Sequence, residues 1–364
     1  MIRLTSILIA GLILVFVAKT DTALAGNPDR QGEAGAYELL LNPWARSAGL
    51  NGLVVSNVVG AEAMRFNPAG LARVYGNTEV ALAHTQYMVG SGMSFNAGGL
   101  AQKIGKSGTI GVSLMAVDFG EIPLTTTAQP EGFATFRPSF FNIGLGYGHV
   151  FRDKDGNEKI SVGVAVRVVS ESIANASAAG VAFDAGVQYV TGNNRQIKFG
   201  LALRNIGTKM KFQGDGLSFL GAAPNGTTSL TVNQRVSAFE LPSLLHIGAS
   251  YDFLFPKETE DRQGKMHRLT AMFQFTANSF SRDQFGLGLE YSFRELFMVR
   301  AAFKYESGMF NQEANGTVRT GFAAGVSAQI PLKKGSNKKL AIDYGFELTR
   351  VFQGTHSVGL KLTI

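Results

Sequence analysis

"KISVGVAVRVV", residues 159–169, decides the fold. Ile160, Val162, Val164, Val166 and Val168 take one side of it, and Ser161, Gly163, Ala165 and Arg167 the other. That period of two belongs to a strand, not to a helix. The pattern recurs in "VAFDAGVQYV", where Val181, Phe183, Ala185, Val187 and Tyr189 oppose Asp184, Gly186 and Gln188. "QFGLGLEYSF" sets Phe285, Leu287, Leu289, Tyr291 and Phe293 against Gly286, Gly288, Glu290 and Ser292, and "LAIDYGFEL" sets Leu340, Ile342, Tyr344, Phe346 and Leu348 against Asp343 and Glu347. A soluble sandwich also alternates, but with strands of about five or six residues and a charged outer face. Here the runs reach nine or more, and the face opposite the apolar one is rich in glycine and small residues. A wall facing lipid around a crowded or polar interior fits better.

Composition agrees. The chain is 45% hydrophobic and 17% charged, with 44 Gly, 27 Phe and 9 Tyr, and its mean hydropathy is +0.08. Beyond the N-terminus no stretch approaches the ~18 apolar residues of a membrane helix, so the apolarity is spread over short alternating pieces, as a membrane β-barrel requires. The net charge of +7 comes without a lysine or arginine tract, which gives no support to a nucleic-acid partner. Residues 1–25 carry Arg3, an apolar run from Ile7 to Ala18 and then Ala23-Leu24-Ala25, the form of a secretory signal peptide cleaved before Gly26. The chain has no cysteine, which excludes disulfides, thiol catalysis and cysteine-ligated metals.

Strands are expected near 77–89, 92–104, 108–118, 138–152, 158–171, 179–191, 195–206, 236–254, 266–278, 283–294, 296–307, 318–332, 338–350 and 354–364. The fold expected is all-β: a transmembrane antiparallel β-barrel of about fourteen strands spanning 77–364, an even number as in bacterial outer membranes. Short connections ("GKSG", "DKDGNE", "TGNN", "RE", "KKGSNKK", and a longer polar "PKETEDRQG") alternate with long ones at 119–137, 172–178, 207–235 and 308–317. The short set belongs on the periplasmic side.

Residues 26–76 precede the wall. "YELLLNPWARSAGLNGLVVSNVVGAEAMRFNPAGLARV" is too apolar for a solvated tail and too irregular for a wall strand, so it is expected to fold back into the lumen as a plug. In Asn67-Pro68-Ala69-Gly70-Leu71, Pro68 fixes its own backbone and biases Asn67 away from helix, while Gly70 permits close approach to another surface. The motif turns the chain from plug to first strand. Trp44, the only tryptophan, is expected to pack within the plug.

The stretch "LLLNPWARSAGLNGLVV…GAEAMRFNPAGLA", followed by a strand beginning near Glu79, resembles the start of the PorV/PorQ family of outer-membrane barrels of the type IX secretion system, itself similar to FadL-type fatty-acid channels. The resemblance covers some 35 residues of motif; the rest agrees in length, strand count and texture. It implies a non-enzymatic protein of a Gram-negative, Bacteroidota-type outer membrane, lodged among lipid and lipopolysaccharide. Its partners would be the type IX translocon, the C-terminal domains of cargo proteins, or a surface attachment subunit. One departure is the C-terminal Ile364, where many such barrels end in an aromatic residue.

No catalytic, cofactor or metal residues are expected. His84, His149, His246, His267 and His356 are scattered, with no HExxH pair and no G-x-S-x-G elbow. "GLGYGH" at 144–149 lies within a strand, so its glycines are expected to face a crowded lumen; "DKDGNE" at 153–158 lacks the spacing of a calcium loop and is a hairpin turn. Two functions stay open, with the resemblance favouring the first, an adaptor that passes cargo from translocon to cell-surface attachment, over the second. An adaptor would bind a protein through the outer loops, with Leu217, Phe219, Leu220 and Pro224 of the 207–235 loop as candidate contacts, beside a second apolar island, "FELP". A FadL-like channel would pass hydrophobic small molecules through a lateral opening. The inward candidates Arg167, Asp184, Glu290, Asp343 and Glu347 are ordinary lumen filling and argue only mildly against a lipid route.

The compartment assignment has a direct check. Mass spectrometry of the mature chain should find its N-terminus at Gly26, in a membrane fraction that resists carbonate extraction; recovery as a soluble periplasmic protein would overturn the barrel.

Overall fold

The computed structural model describes residues 28–224, 226, 228–255, 266–310, 317–332 and 338–364. The expected signal peptide, the "PKETEDRQG" turn, most of the 308–317 loop and the first five residues of "KKGSNKK" lie outside them. In chain order the strands are β1 (Thr78–Gln86), β2 (Ser94–Ile104), β3 (Gly108–Asp118), β4 (Ile122–Thr126), β5 (Gln129–Phe136) and β6 (Ser139–Arg152). Then come β7 (Glu158–Ile173), β8 (Ala176–Thr191), β9 (Ile197–Gly207), β10 (Ser218–Ala222), β11 (Ser229–Asn233) and β12 (Leu244–Phe255). The last six are β13 (His267–Asn278), β14 (Gln284–Phe293), β15 (Phe297–Glu306), β16 (Arg319–Pro331), β17 (Lys339–Thr349) and β18 (Thr355–Thr363).

Fourteen of these form one closed antiparallel wall in the order β1-β18-β17-β16-β15-β14-β13-β12-β9-β8-β7-β6-β3-β2. The ends meet through Val80↔Leu362 and Leu82↔Leu360. Closure removes the sheet edge, which lipid could not hydrogen-bond. The alternation read from sequence sets the faces. Along β7, Val164, Val166 and Val168 are exposed on the outside, while Ala165 and Arg167 are each 2% exposed inside.

Aromatic rings ring both ends of the outer surface. At the end holding both wall termini sit His149–Phe151 (centroids 4.9 Å apart), Tyr251–Phe253 (4.7 Å) and His267–Phe293 (5.4 Å). At the other end are Phe275–Phe285 (4.9 Å), Phe303–Phe322 (4.7 Å) and Phe346–His356 (4.9 Å). Such girdles mark the two interfaces of a membrane with an apolar band between.

The long connections differ from the sequence reading in two ways. The 172–178 segment is no loop: β7 and β8 run on, 16 residues each, to a tight turn at Ala174-Asn175, with Ala174 in the left-handed region (φ 47°). The serines and small residues there looked like turn chemistry, but they pair as Ser172↔Ser177 and Ile173↔Ala176. The 119–137 and 207–235 connections fold into two-stranded hairpins, β4–β5 and β10–β11. The strand expected from 236 begins only at Leu244, because Phe239 instead bridges Met210.

Residues 34–74 pack inside the wall as short turns rather than a helix, at Tyr37–Leu40, Ala45–Ala48, Gly60–Glu62, Ala63–Phe66 and Pro68–Arg73. Trp44, Leu50, Leu53, Val54, Val58, Met64 and Leu71 form one apolar core that also takes in wall alanines such as Ala81, Ala97 and Ala165. The wall meets this plug through glycine. A Cβ at Gly163 would collide with the Pro68 carbonyl, one at Gly200 with the Val55 carbonyl, and one at Gly286 with the Leu53 side chain. Gly144, Gly146 and Gly148 of "GLGYGH" meet Met64, Leu71 and Ala72. These inward glycines let backbone approach backbone where any side chain would hold the two surfaces apart.

This contact can be broken without touching the wall ladder. Gly163→Val should leave a heat-modifiable barrel, since valine suits a strand, but should disfavour the seated plug by about 1–3 kcal/mol through overpacking. Limited proteolysis within residues 28–76 and a rise in single-channel conductance should report the change. Wild-type protection and conductance would contradict the assigned contact.

Candidate functional site

Asn67 holds the plug motif together. Its backbone is extended (φ −157°, ψ 101°), and its side-chain oxygen accepts from the Ala69 N–H at 3.2 Å, capping the turn that Pro68 begins. Its amide nitrogen donates to the Val55 carbonyl at 2.8 Å and to the Val187 carbonyl of β8 at 3.1 Å. One side chain thus joins two parts of the plug to the wall. Asn67, Ala69 and Leu71 have no exposure, and Pro68 and Gly70 are buried with them. Gly70 lies against the Val58 carbonyl, the close approach read from sequence. Past the motif, Arg73 donates to Ser161 Oγ (3.0 Å) and to the Lys159 carbonyl (3.1 Å), fastening the exit to β7.

Polar side chains fill the rest of the lumen. All five inward candidates, Arg167, Asp184, Glu290, Asp343 and Glu347, are buried. Arg167 pairs with Asp184 at 2.7 Å, and Asp184 also accepts from the Asn205 N–H at 2.7 Å. Glu290 gathers Arg300 (2.6 Å) and Arg268 (3.0 Å) from the wall and Arg46 (3.3 Å) from the plug; Arg46 also reaches Glu62 at 3.6 Å. Burial opposes the charge on Arg46, but Glu290, Glu62 and Asp343 outweigh it and hold its pKa above the usual arginine value. Arg65 has no such carboxylate. Burial, then the nearby charges of Arg204 and Arg167, push its pKa well down, and it donates instead to the carbonyls of Leu39 (2.6 Å) and Leu41 (3.0 Å).

Above the plug, in the outer half of the lumen, is a cavity of about 370 Å³. Its lining mixes rings and polar groups, among them Phe66, Tyr87, Arg204, His246, Gln274 and Lys304. His246 Nδ1 lies 2.8 Å from Thr276 Oγ1 and its Nε2 3.4 Å from Arg204 Nη1. Gln274 Nε2 also lies 3.2 Å from Nδ1, so donor groups approach both ring nitrogens. The sequence reading did not single out Arg204, His246 or Lys304. Each is one inward residue on a wall strand, and the signal that distinguishes them, convergence on one space, exists only after strands far apart in sequence are rolled together.

One side of this cavity borders an irregular place in the wall. Pairing of β15 with β16 stops at Phe303↔Phe322, although β15 continues to Glu306, and the β16–β17 register slips between Arg319 and Ala323. Gly321 sits in that slip with φ +87°. Its carbonyl accepts from the Asn51 amide of the plug at 2.7 Å, so a plug side chain takes a hydrogen bond that the wall ladder leaves open. Asn51, Gly52, Lys304, Thr317 and Arg319 line the cavity beside it. On the outside, Phe303, Phe310 and Phe322 pack together, with Phe303–Phe310 stacked at 6.3 Å.

The candidate partner residues lie on the 207–235 hairpin. Phe219 is 55% and Leu220 77% exposed, Pro224 is exposed, and Leu217 is half-buried at the base. The other apolar island behaves oppositely. In "FELP", Leu241 is buried, and Phe239 packs on Phe212 with Leu39, Phe140 and Met210 nearby, closing over the barrel mouth. The hairpin base is fixed to the tip of β8 through paired hydrogen bonds between Ser177 and Gln213. Among the described residues, no cluster of three or more His, Asp or Glu side chains is arranged to hold a metal.

No protein-family model matches the chain, and no curated protein sequence is significantly similar to it. Solved structures do match in shape. The Pseudomonas putida toluene transporter TodX superposes with a TM-score of 0.54 at 12% identity, covering 88% of this chain and 97% of that one. The CymD monoaromatic hydrocarbon channel gives 0.52 at 12% identity over 89% and 98%. The Ralstonia pickettii toluene transporter TbuX gives 0.50 at 13% over 89% and 99%. At such identities the likeness concerns the fold, and the fold it supports is the FadL-like fourteen-stranded barrel with an N-terminal plug.

Proposed function

We propose that the protein is an outer-membrane channel that admits small molecules with hydrophobic character from outside the cell. The observation that carries this reading is the cavity of about 370 Å³, floored by the plug and bordered by the unpaired stretch of wall at Gly321. Its volume is that of a small-molecule site. Molecules collected there would leave past the β15–β16 seam, where no ladder bond has to break and the plug's Asn51 is the group to displace. The kinship of fold with transporters and channels named for toluene and monoaromatic hydrocarbons supports a conduit.

A second reading rests on a different observation. The β10–β11 hairpin presents Phe219, Leu220, Leu230 and Val232 to solvent on a rigid base, and exposed apolar groups of this kind mark protein contacts. With the plug motif's likeness to the PorV/PorQ family, that favours an adaptor holding a cargo domain or a surface subunit of the type IX system.

Two variants separate the readings. Phe66→Asp places a charge on the cavity floor and should reduce uptake of a hydrophobic probe such as toluene into proteoliposomes about tenfold, a cost near 1.4 kcal/mol. Replacing residues 214–226 with a short glycine-serine turn should leave uptake unchanged, since altering an exposed loop costs little closure entropy. Uptake indifferent to Phe66→Asp, together with loss of a co-purifying protein partner in the loop variant, would establish the adaptor in place of the channel.

A further inference from the structure

Among the described residues, most large buried cations of the lumen have an identifiable counterpart. Arg167, Arg300, Arg46 and Arg268 each meet a carboxylate, although Arg167 Nε and Nη1 have no hydrogen-bond partner, and Arg65 donates to backbone carbonyls through Nε and Nη2. Arg204 is only 4% exposed, yet its buried Nε and Nη2 have no hydrogen-bond partner, and Nη1 has only the 3.4 Å contact with His246. A guanidinium withdrawn from water without compensation is costly, so proteins that keep one in a cavity usually reserve it for an anion.

Lys304, four strands round the wall on β15, lines the same cavity, with its Nζ beside the plug's Gly52. Among the described residues no carboxylate oxygen comes within ion-pair distance of Arg204 or Lys304. Two carboxylates do line the space: Glu347 is shared between Arg319 and Lys304 without an ion pair to Lys304, and Glu38 faces Glu171. Arg204 and Lys304 are therefore opposed only at a distance, by Asp184 and by Glu347 and Glu306, and neither has a close anionic partner. The apolar part of the site adjoins them: the Arg204 guanidinium lies 5.9 Å from the centre of the Phe66 ring, and Tyr87 and Phe119 complete an aromatic side.

We infer that this cavity contains an anion subsite, formed by Arg204 and Lys304, for the carboxylate of a small aromatic acid whose ring lies against Phe66, Tyr87 and Phe119. The assignment rests on the channel reading above and narrows it: the preferred solute is a compact organic anion, not a neutral hydrocarbon. Arg204 supplies a planar pair of N–H donors that suits a carboxylate, and Lys304 supplies a mobile charge. The volume suits one ring and its polar head.

Calorimetric titration of the full barrel in detergent, with benzoate, toluene and laurate as separate probes, tests it. Benzoate should bind more tightly than toluene or laurate. Arg204→Met and Lys304→Met should each weaken benzoate about tenfold or more, as expected for loss of a charge-assisted hydrogen bond, and so narrow its preference over toluene. Arg204→Lys should recover part of the loss. Heat-modifiable gel migration reports whether each variant is folded, and the partly exposed Lys304 keeps the test sound should Arg204→Met fail to assemble. Toluene binding without benzoate binding, laurate preferred to benzoate, or benzoate affinity untouched by both charge removals would overturn the subsite while leaving the channel intact. Binding of none of the three would overturn the channel reading as well.

Discussion

A closed wall of fourteen strands encloses more space than its own side chains can fill, and that surplus governs the rest of the molecule. Eight strands suffice for wall residues to meet across the axis. With fourteen, the chain must either leave water in the lumen or bring in other material, and here it brings in residues 34–74. The plug has no long helix or sheet of its own, so much of its backbone hydrogen bonding has to come from side chains or from the wall. Asn67, Asn51 and Gln188 supply such bonds: Asn67 to Val187, Asn51 to Gly321, and Gln188 from the wall to Val58 at 2.9 Å. The inward glycines are the other half of this solution, because only a bare backbone lets the plug's carbonyls come so near.

Buried charge follows from the same geometry. Positions that face inward but miss the plug must be filled by long polar side chains, and these are withdrawn from water as the plug seats. Glu290 shows how the cost is met. Two wall arginines and one plug arginine converge on it, so its pairing is complete only when Arg46 has arrived. Removing one member of such a group leaves a buried charge uncompensated, which costs several times what the intact pair contributes.

The wall was legible in the sequence because a strand with lipid on one side and protein on the other writes its geometry into every second residue. Ile160 to Val168 give the faces, and the small inward residues announce a crowded lumen. Strand ends were legible where glycine or asparagine marks a turn, as at "GKSG" and "TGNN". They were misread where the same small residues continue a strand, as in Ser172 to Ala178, whose ladder runs beyond the membrane where no apolar alternation is required. The plug motif was visible as a rigid turn, but its partners were not, since Val187 and Gly163 lie some hundred residues away. The cavity was least legible. Arg204 looks in sequence like any inward arginine, and its lack of a partner depends on where Asp184 and Arg167 find each other.

The strands of the wall are uneven in length. β7 and β8 have 16 residues each, whereas β1 and β18 have nine. At roughly 3.3 Å per residue, the seven extra residues make these strands about 23 Å longer along the chain, shared between the two ends of the wall. Their outer turn is braced by the Ser177–Gln213 bonds to the neighbouring loop. The wall is thus uneven around its circumference, with its longest strands at β7 and β8 and its shortest where β18 and β1 close the ring.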